Sequence, residues 1–342
     1  MIILISWPYN KRSYYRLGID VLEKRNIDFK ILNLFDLLYP ESKTIYNERE
    51  FHKREIVINS YKELYQYLKE EEFILNFLNI KKNTLSVFGL LTLLNKNYIS
   101  FDNMPLPRMS NYKTNILKYF LKPASIGAVV APVYHFPFSR KTKFINIHSA
   151  DYDEYLRFEK TGSKPLIKNN DYYVFIDQNL PFHLDFIRNG IKPYVTSRKY
   201  YDSLNKFFDY IEKETQKEVI IALHPNSSNK HNFKKRTFIH ETINLIKYSK
   251  GVIIHSSTAV SFAAIYNKPL CMIETEEIVN SEMHQFNKLF ASILNIKPLN
   301  IDKTFRFQFE FPNYTTYYKT YITSSSFKDM YSMEILLKEL KL

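Results

Sequence analysis

The stretch that most constrains the fold is GVIIHSSTAVSFAAIYNKPL, Gly251 to Leu270. An apolar run, Val252 to Ile254, stops abruptly at His-Ser-Ser-Thr, and apolar positions then recur at Ala259, Phe262, Ala263 and Tyr266. The change of spacing predicts a buried strand, a tight turn and a helix start. A helix start presents unpaired N–H groups and the positive end of its dipole, and Ser256, Ser257 and Thr258 add hydroxyls, so a phosphate suits the turn. Upstream, VIIALHPNSS repeats the pattern: an apolar strand breaks at His224-Pro225 and opens through Asn226 into a polar loop. Two strand ends of one parallel sheet bring both turns to one edge, where open α/β sheets bind ligands.

The rest of the chain supplies the alternation such a sheet needs. Met1 to Ser6 reads as a strand, Tyr14 to Lys24 as a helix and Asp28 to Leu34 as a second strand, the opening of a doubly wound domain. Further units follow: helix Ile56 to Glu70, strand Phe73 to Leu78, helix Thr84 to Leu94, strand Tyr98 to Asp102, helix Asn115 to Leu121, and strands Ala128 to Pro132 and Lys143 to Ile147. From Asp151 to Asn170 the chain turns polar, which predicts a linker, and the alternation restarts at Tyr172. The expected fold is α/β, two Rossmann-like doubly wound domains facing across a cleft. The first domain covers 1–160 and the second 161–325, and a final helix in 326–342 has the option of crossing back to the first. Ligands of such chains often bind between the halves.

At 342 residues and 45% hydrophobic content the chain can fill two cores. A net charge of +13 points to an acidic partner: a nucleotide, a phosphorylated lipid, an anionic membrane surface or nucleic acid. Cys271 is the single cysteine, which excludes an internal disulfide framework and fits a reducing cytoplasm. No run of about 18 apolar residues exists to span a bilayer. The P-loop pattern and the dinucleotide GxGxxG are absent, against an ATPase or a nicotinamide enzyme. Histidines are scattered without helical metal spacing, so no metal is expected. The basic loop Lys230 to Arg236 carries no aromatic-interleaved module and reads as a solvated basic rim, so no nucleic acid is expected either.

Candidate chemistry gathers at the strand ends. His224, Pro225, Asn226, Ser256, Ser257 and Thr258 form a nucleotide-phosphate set, with Glu274 closing the following strand. The plain alternative is that Ser and Thr cap a helix and Pro ends a strand. FIDQNLPFHLDF places Asp177, Gln178, His183 and Asp185 beyond the first strand of the second domain. A carboxylate there is placed to act as a general base or a nucleophile, Asp177 first and Asp185 second, with His183 steering either. In the first domain Tyr9, Asn10 and Arg12 follow the first strand, and Asp102 and Asn103 end another, a set suited to gripping an acceptor or a donor sugar. His255, against the apolar strand, reads as a core histidine.

YYVFIDQNLPFH, VIIALHP and VIIHSSTAVSFAAIYNKPL together resemble bacterial surface-polysaccharide glycosyltransferases of GT-B architecture. More distantly they resemble sialyltransferases and Kdo transferases, which share a His-Pro motif and a Ser-Ser or Ser-Thr motif. The resemblance covers 171–295, and the first domain only by architecture. It implies a CMP-activated sugar acid as donor (sialic, legionaminic or pseudaminic acid, or Kdo), His224 near the CMP phosphate, and Ser256 and Ser257 holding it. The Asp-Asp-Gly base motif of some sialyltransferases is missing. A monoester leaving group needs donors and positive charge rather than a divalent metal, so metal-independent transfer without a cofactor is expected. The basic surface suits a glycan or lipid-linked glycan acceptor, with peripheral contact at the anionic inner face of the membrane. A UDP-sugar 2-epimerase, or another UDP-sugar-dependent GT-B enzyme, is the alternative. A nucleotide-binding scaffold subunit is the reading without catalysis.

Overall fold

A computed structural model describes residues 1–42, 50–105, 107, 120–132, 137–225, 227 and 231–342, with the side chains of 187–189 left aside. The expected helix Asn115 to Leu121 falls almost wholly outside the described residues, and Asn226 does so entirely. The chain forms two compact units: Met1–Pro105 with Asn111–Glu154 and Tyr321–Leu342, and a second built on Tyr155–Thr320.

The first unit carries strands β1 (Ile2–Ile5), β2 (Lys30–Asn33), β3 (Glu55–Val57), β4 (Ile74–Asn76), β5 (Ile99–Asp102), β6 (Ile126–Val129) and β7 (Lys143–Asn146). All pair in parallel, in the order β3-β2-β1-β4-β5-β6-β7. Successive side chains of a strand point to opposite faces. Ile3 and Ile5 therefore pack with the helix Ile19–Lys24, while Ile2 and Leu4 pack with the helices Tyr61–Glu70 and Leu85–Leu93. The chain's last helix, Ser332–Leu340, adds Met333, Ile335, Leu336 and Leu337 to the first of these cores. His148 pins the returning segment: its Nδ1 meets Thr323 Oγ1 at 2.6 Å and its Nε2 meets the Phe327 carbonyl at 3.0 Å.

The second unit carries β8 (Tyr172–Ile176), β9 (Glu218–Leu223), β10 (Thr237–Ile239), β11 (Gly251–Ile254), β12 (Leu270–Glu274) and β13 (Leu299–Asn300), all parallel in the order β10-β9-β8-β11-β12-β13. The 19-residue helix Ser197–Thr215 repeats buried side chains every three to four residues, at Tyr200, Tyr201, Leu204, Phe207, Phe208 and Ile211. That stripe closes one face of the sheet over Phe175, Ile221, Ile253 and Ile273.

The expected fold class is met: each unit is a doubly wound parallel sheet of the kind that GT-B chains carry in pairs. In each, the strand order reverses beside the first strand, between β1 and β4 and between β8 and β11. These are the switch points where doubly wound sheets hold ligands at their carboxyl edge. The polar stretch expected to be a linker is in part a helix, Ala150–Thr161, and Tyr152, Asp153 and Leu156 within it are buried. Among the described residues no helix is long and apolar enough to cross a membrane.

Candidate functional site

The site is assembled at the switch point of the second unit, where β8 and β11 lie side by side. Past β8 the Asp177 N–H continues the ladder to the Ala222 carbonyl at 2.9 Å, which fixes the side chain beneath the loop leaving β9. The Asp177 carboxylate is 2% exposed. One oxygen accepts the Asn179 N–H at 2.8 Å, and the other accepts the His224 N–H at 3.4 Å and the Ser227 hydroxyl at 3.1 Å. Burial raises its pKa above the ordinary carboxylate value, against the pull of those donors and of nearby His231. Gln178, the next residue, crosses the switch point: its Nε2 donates to the Ser256 carbonyl, while its Oε1 is buried without a partner. Three strand ends are thus tied into one polar cluster.

The turn after β11 differs from the expected helix start. The helix is short, Val260–Ile265, and Ala259 at its N-cap offers no side-chain bond. The N–H groups of Val260, Ser261 and Phe262 are satisfied within the turn by the carbonyls of Ser257, Thr258 and Ala259 at 2.9–3.1 Å. Six residues also sum to a small dipole. What the turn presents is therefore the hydroxyls of Ser257 and Thr258 and their own N–H groups, which donate to no acceptor among the described residues. Ser256 is buried and belongs to the scaffold.

His224 is half-buried, and its ring packs edge-on against His183 at 5.3 Å between centroids. His183 Nδ1 accepts the Asp185 N–H at 3.2 Å, whereas the Asp185 carboxylate is 4.0 Å away and 56% exposed on the rim. The structure therefore brings together Asp177, Gln178, His183, His224, Ser256 and Ser257, and leaves Asp185 outside. Pro225 lies in the turn closed by the Ser227 N–H on the His224 carbonyl at 2.8 Å.

His255 is fully buried. Its Nδ1 lies 2.7 Å from the Ile273 carbonyl, which fixes the proton there, and Nε2 accepts the Tyr200 hydroxyl at 3.1 Å. Burial pushes its pKa down to about 4, as a satisfied core histidine requires. Glu274, at the end of β12, is 2% exposed. Its carboxylate faces two side chains the sequence did not mark: His284 Nδ1 lies 2.9 and 3.0 Å from its oxygens, and Asn287 Nδ2 donates at 2.8 Å. Both partners stand three residues apart on the helix Met283–Leu294, and that i,i+3 spacing was the only signal for them.

In the first unit the expected gripping set is mostly structural. Tyr9 is 4% exposed and belongs to the apolar core, where burial raises its phenol pKa. Asn10 caps the helix Lys11–Arg16, its Oδ1 accepting the Ser13 N–H at 3.0 Å. Asn103 is 3% exposed and donates to the Arg16 carbonyl at 3.2 Å. Arg12, 41% exposed and 3.6 Å from Glu154, and half-buried Asp102 at the end of β5 are the members nearer the surface.

No family model matches the sequence, and no curated protein does. Among solved structures, the chain is similar to the UDP-GlcNAc 2-epimerase of Methanocaldococcus jannaschii, at 13% identity over 99% of this chain and 98% of that one, TM-score 0.46. It is also similar to MurG of Acinetobacter baumannii, at 10% identity over 89% and 87%, TM-score 0.45. A third is Alr3699/HepE of Anabaena in complex with UDP and glucose, at 11% identity over 99% and 98%, TM-score 0.44. At this level of similarity the comparisons decide neither donor nor reaction.

Proposed function

We propose that the second unit binds a pyrimidine-nucleotide-activated sugar and that the chain is a glycosyltransferase. The observation that carries the proposal is the switch-point cluster, in which Asp177 and Gln178 lock the His-Pro loop after β9 to the turn after β11. The phosphate lies against the hydroxyls and N–H groups of Ser257 and Thr258, with His224 beside it and His183 behind. These donors meet the charge that grows on the phosphate as the sugar leaves, which lowers the barrier most when they are fixed beforehand. Fixing them is the role we assign to Asp177. Its carboxylate is enclosed and occupied by three donors, so it positions the loop, and the proton acceptor for the incoming hydroxyl is another group. The transfer is proposed to need no divalent metal, because the hydroxyl, N–H and imidazole groups of the site serve as hydrogen-bond donors to the departing phosphate.

The donor is held to the class that UDP- and CMP-linked sugars share, and calorimetric titration separates them. CMP, UDP, UDP-GlcNAc and a CMP-linked sialic acid are titrated into the full chain. Binding of one pair and not the other assigns the base; binding of none ends the proposal. Conversion of UDP-GlcNAc to its 2-epimer without acceptor would replace transfer by epimerisation. Asp177→Ala strands the Asn179 and His224 N–H groups and the Ser227 hydroxyl. Each buried donor left unpaired costs about 1–3 kcal/mol, so nucleotide affinity should fall at least about tenfold. Affinity unchanged within twofold would remove the positioning role. Turnover abolished by a chelator would end the metal-free claim.

A further inference from the structure

Beside the switch-point cluster stands a carboxylate–imidazole pair to which the proposed function has given no task. β11 and β12 are in parallel register with Ile254 opposite Met272, and His255 bonds the Ile273 carbonyl. Continuing that register sets Ser256 beside Glu274, roughly 5 Å away on the next strand. Glu274 is buried, and its charge is met by the Nδ1 edge of His284 and by the Asn287 amide. The bond to Nδ1 fixes the tautomer: the proton sits on Nδ1, and Nε2 keeps its lone pair. His284 is 24% exposed, and among the described residues nothing bonds its Nε2. Asn287 is 0% exposed, and its Oδ1 has no partner, an arrangement that holds the amide donor on Glu274 at the expense of its own acceptor. A buried acid that orients an imidazole and leaves its outer nitrogen open is the arrangement of a proton acceptor in hydrolases and transferases.

We propose that His284 is the general base of the transfer, oriented by Glu274 and Asn287; this rests on the donor site proposed above. As the acceptor hydroxyl oxygen bonds to the anomeric carbon, its proton passes to Nε2 of His284. The anomeric carbon–oxygen bond to the phosphate breaks, and its electron pair leaves with the nucleotide. The imidazolium stands against the Glu274 carboxylate until its proton returns to solvent. This supplies the proton acceptor that enclosed Asp177 does not.

The test uses the full chain with UDP-GlcNAc and a CMP-linked sialic acid as donors and water as acceptor, and reads nucleotide release. His284→Gln should bind nucleotide within about twofold of the parent and release it at least about 100-fold more slowly, the usual contribution of a positioned base. His284→Ala, which leaves room beside Glu274, should recover part of its rate when imidazole is added. Glu274→Gln keeps an acceptor for Nδ1 but removes the countercharge, so its rate should fall while binding holds. Turnover of His284→Gln equal to the parent would overturn the assignment and leave the donor site standing. So would a loss of rate in His284→Ala that imidazole does not restore, since a structural role alone gives that result. A parent chain that binds no nucleotide would overturn the donor site and, with it, the base.

Discussion

His255 couples the stability of the second unit to pH. Its pKa is about 6.5 in an unfolded chain and about 4 in the fold, because charging an imidazole enclosed by apolar side chains is unfavourable. A depressed folded pKa gives stability that is fully present above pH 6.5 and is lost as pH falls toward 4. The shift is worth on the order of 3 kcal/mol over that interval. His255→Asn should therefore flatten the acid side of the second unit's stability curve, measured by urea unfolding between pH 7 and 4.5; parallel curves for parent and variant would contradict the assignment. The same residue shows what a sequence discloses at this scale. Its burial was legible because it continues the apolar run of β11, whereas the Ile273 and Tyr200 partners lie on elements 18 and 55 residues away. His224 and the serines were legible as strand breaks, but which of their neighbours face inward was not. Asp177, Tyr9, Asn10 and Asn103 have the composition of a site and the contacts of a scaffold. Glu274 was marked only as a nucleotide contact, and His284 carried no signal beyond its spacing to Asn287, because the pair exists only once β12 and the helix Met283–Leu294 are folded together.

At the scale of elements, Gly18 decides whether the last helix can seat on the first unit. It sits at φ +67, and a Cβ placed on it would lie 2.5 Å from the Cβ of Met333 in the helix Ser332–Leu340. Both atoms are bonded directly to backbone, so neither can rotate away. Gly18→Ala thus adds a left-handed strain of about 1–2 kcal/mol to an overpacking term of about 1–3 kcal/mol. Gly162, at φ +61 with open space around it, pays only the backbone term. The first unit should unfold at markedly lower urea concentration in Gly18→Ala, and Gly162→Ala should stay within about 1–2 kcal/mol of the parent. Equal effects of the two would mean that the Met333 contact yields. The fully buried strands were the legible elements here, since they are apolar runs; half-buried β3 was not, and its Ile56 and Val57 were read as the start of a helix that begins only at Tyr61. The helix Ala150–Thr161 was not: its charged residues find partners such as Ser332 for Asp153, and Lys247 and Tyr266 for Glu159, all far along the chain. The helix after β11 was placed correctly but is shorter than its spacing suggests, so the proposed anion site rests on the turn before it rather than on its dipole.

For the molecule as a whole, the governing fact is that each unit has its own core, and that the first unit's core is completed by the chain's last residues. Separate cores allow separate unfolding transitions, and the proposed nucleotide site draws all its described residues from the second. Leu336 is fully buried in the first unit, and Leu336→Ala should cost that unit about 2–5 kcal/mol through lost contacts and the cavity left behind. Scanning calorimetry should then show one transition lowered and the other in place. Nucleotide at 100 times its dissociation constant stabilises the unit that binds it by about 2.7 kcal/mol. The transition raised by nucleotide should be the one that Leu336→Ala leaves in place, in parent and variant alike. If nucleotide instead raises the lowered transition, the donor site belongs to the first unit, and the cluster of Asp177, Gln178 and Ser256 is scaffold alone.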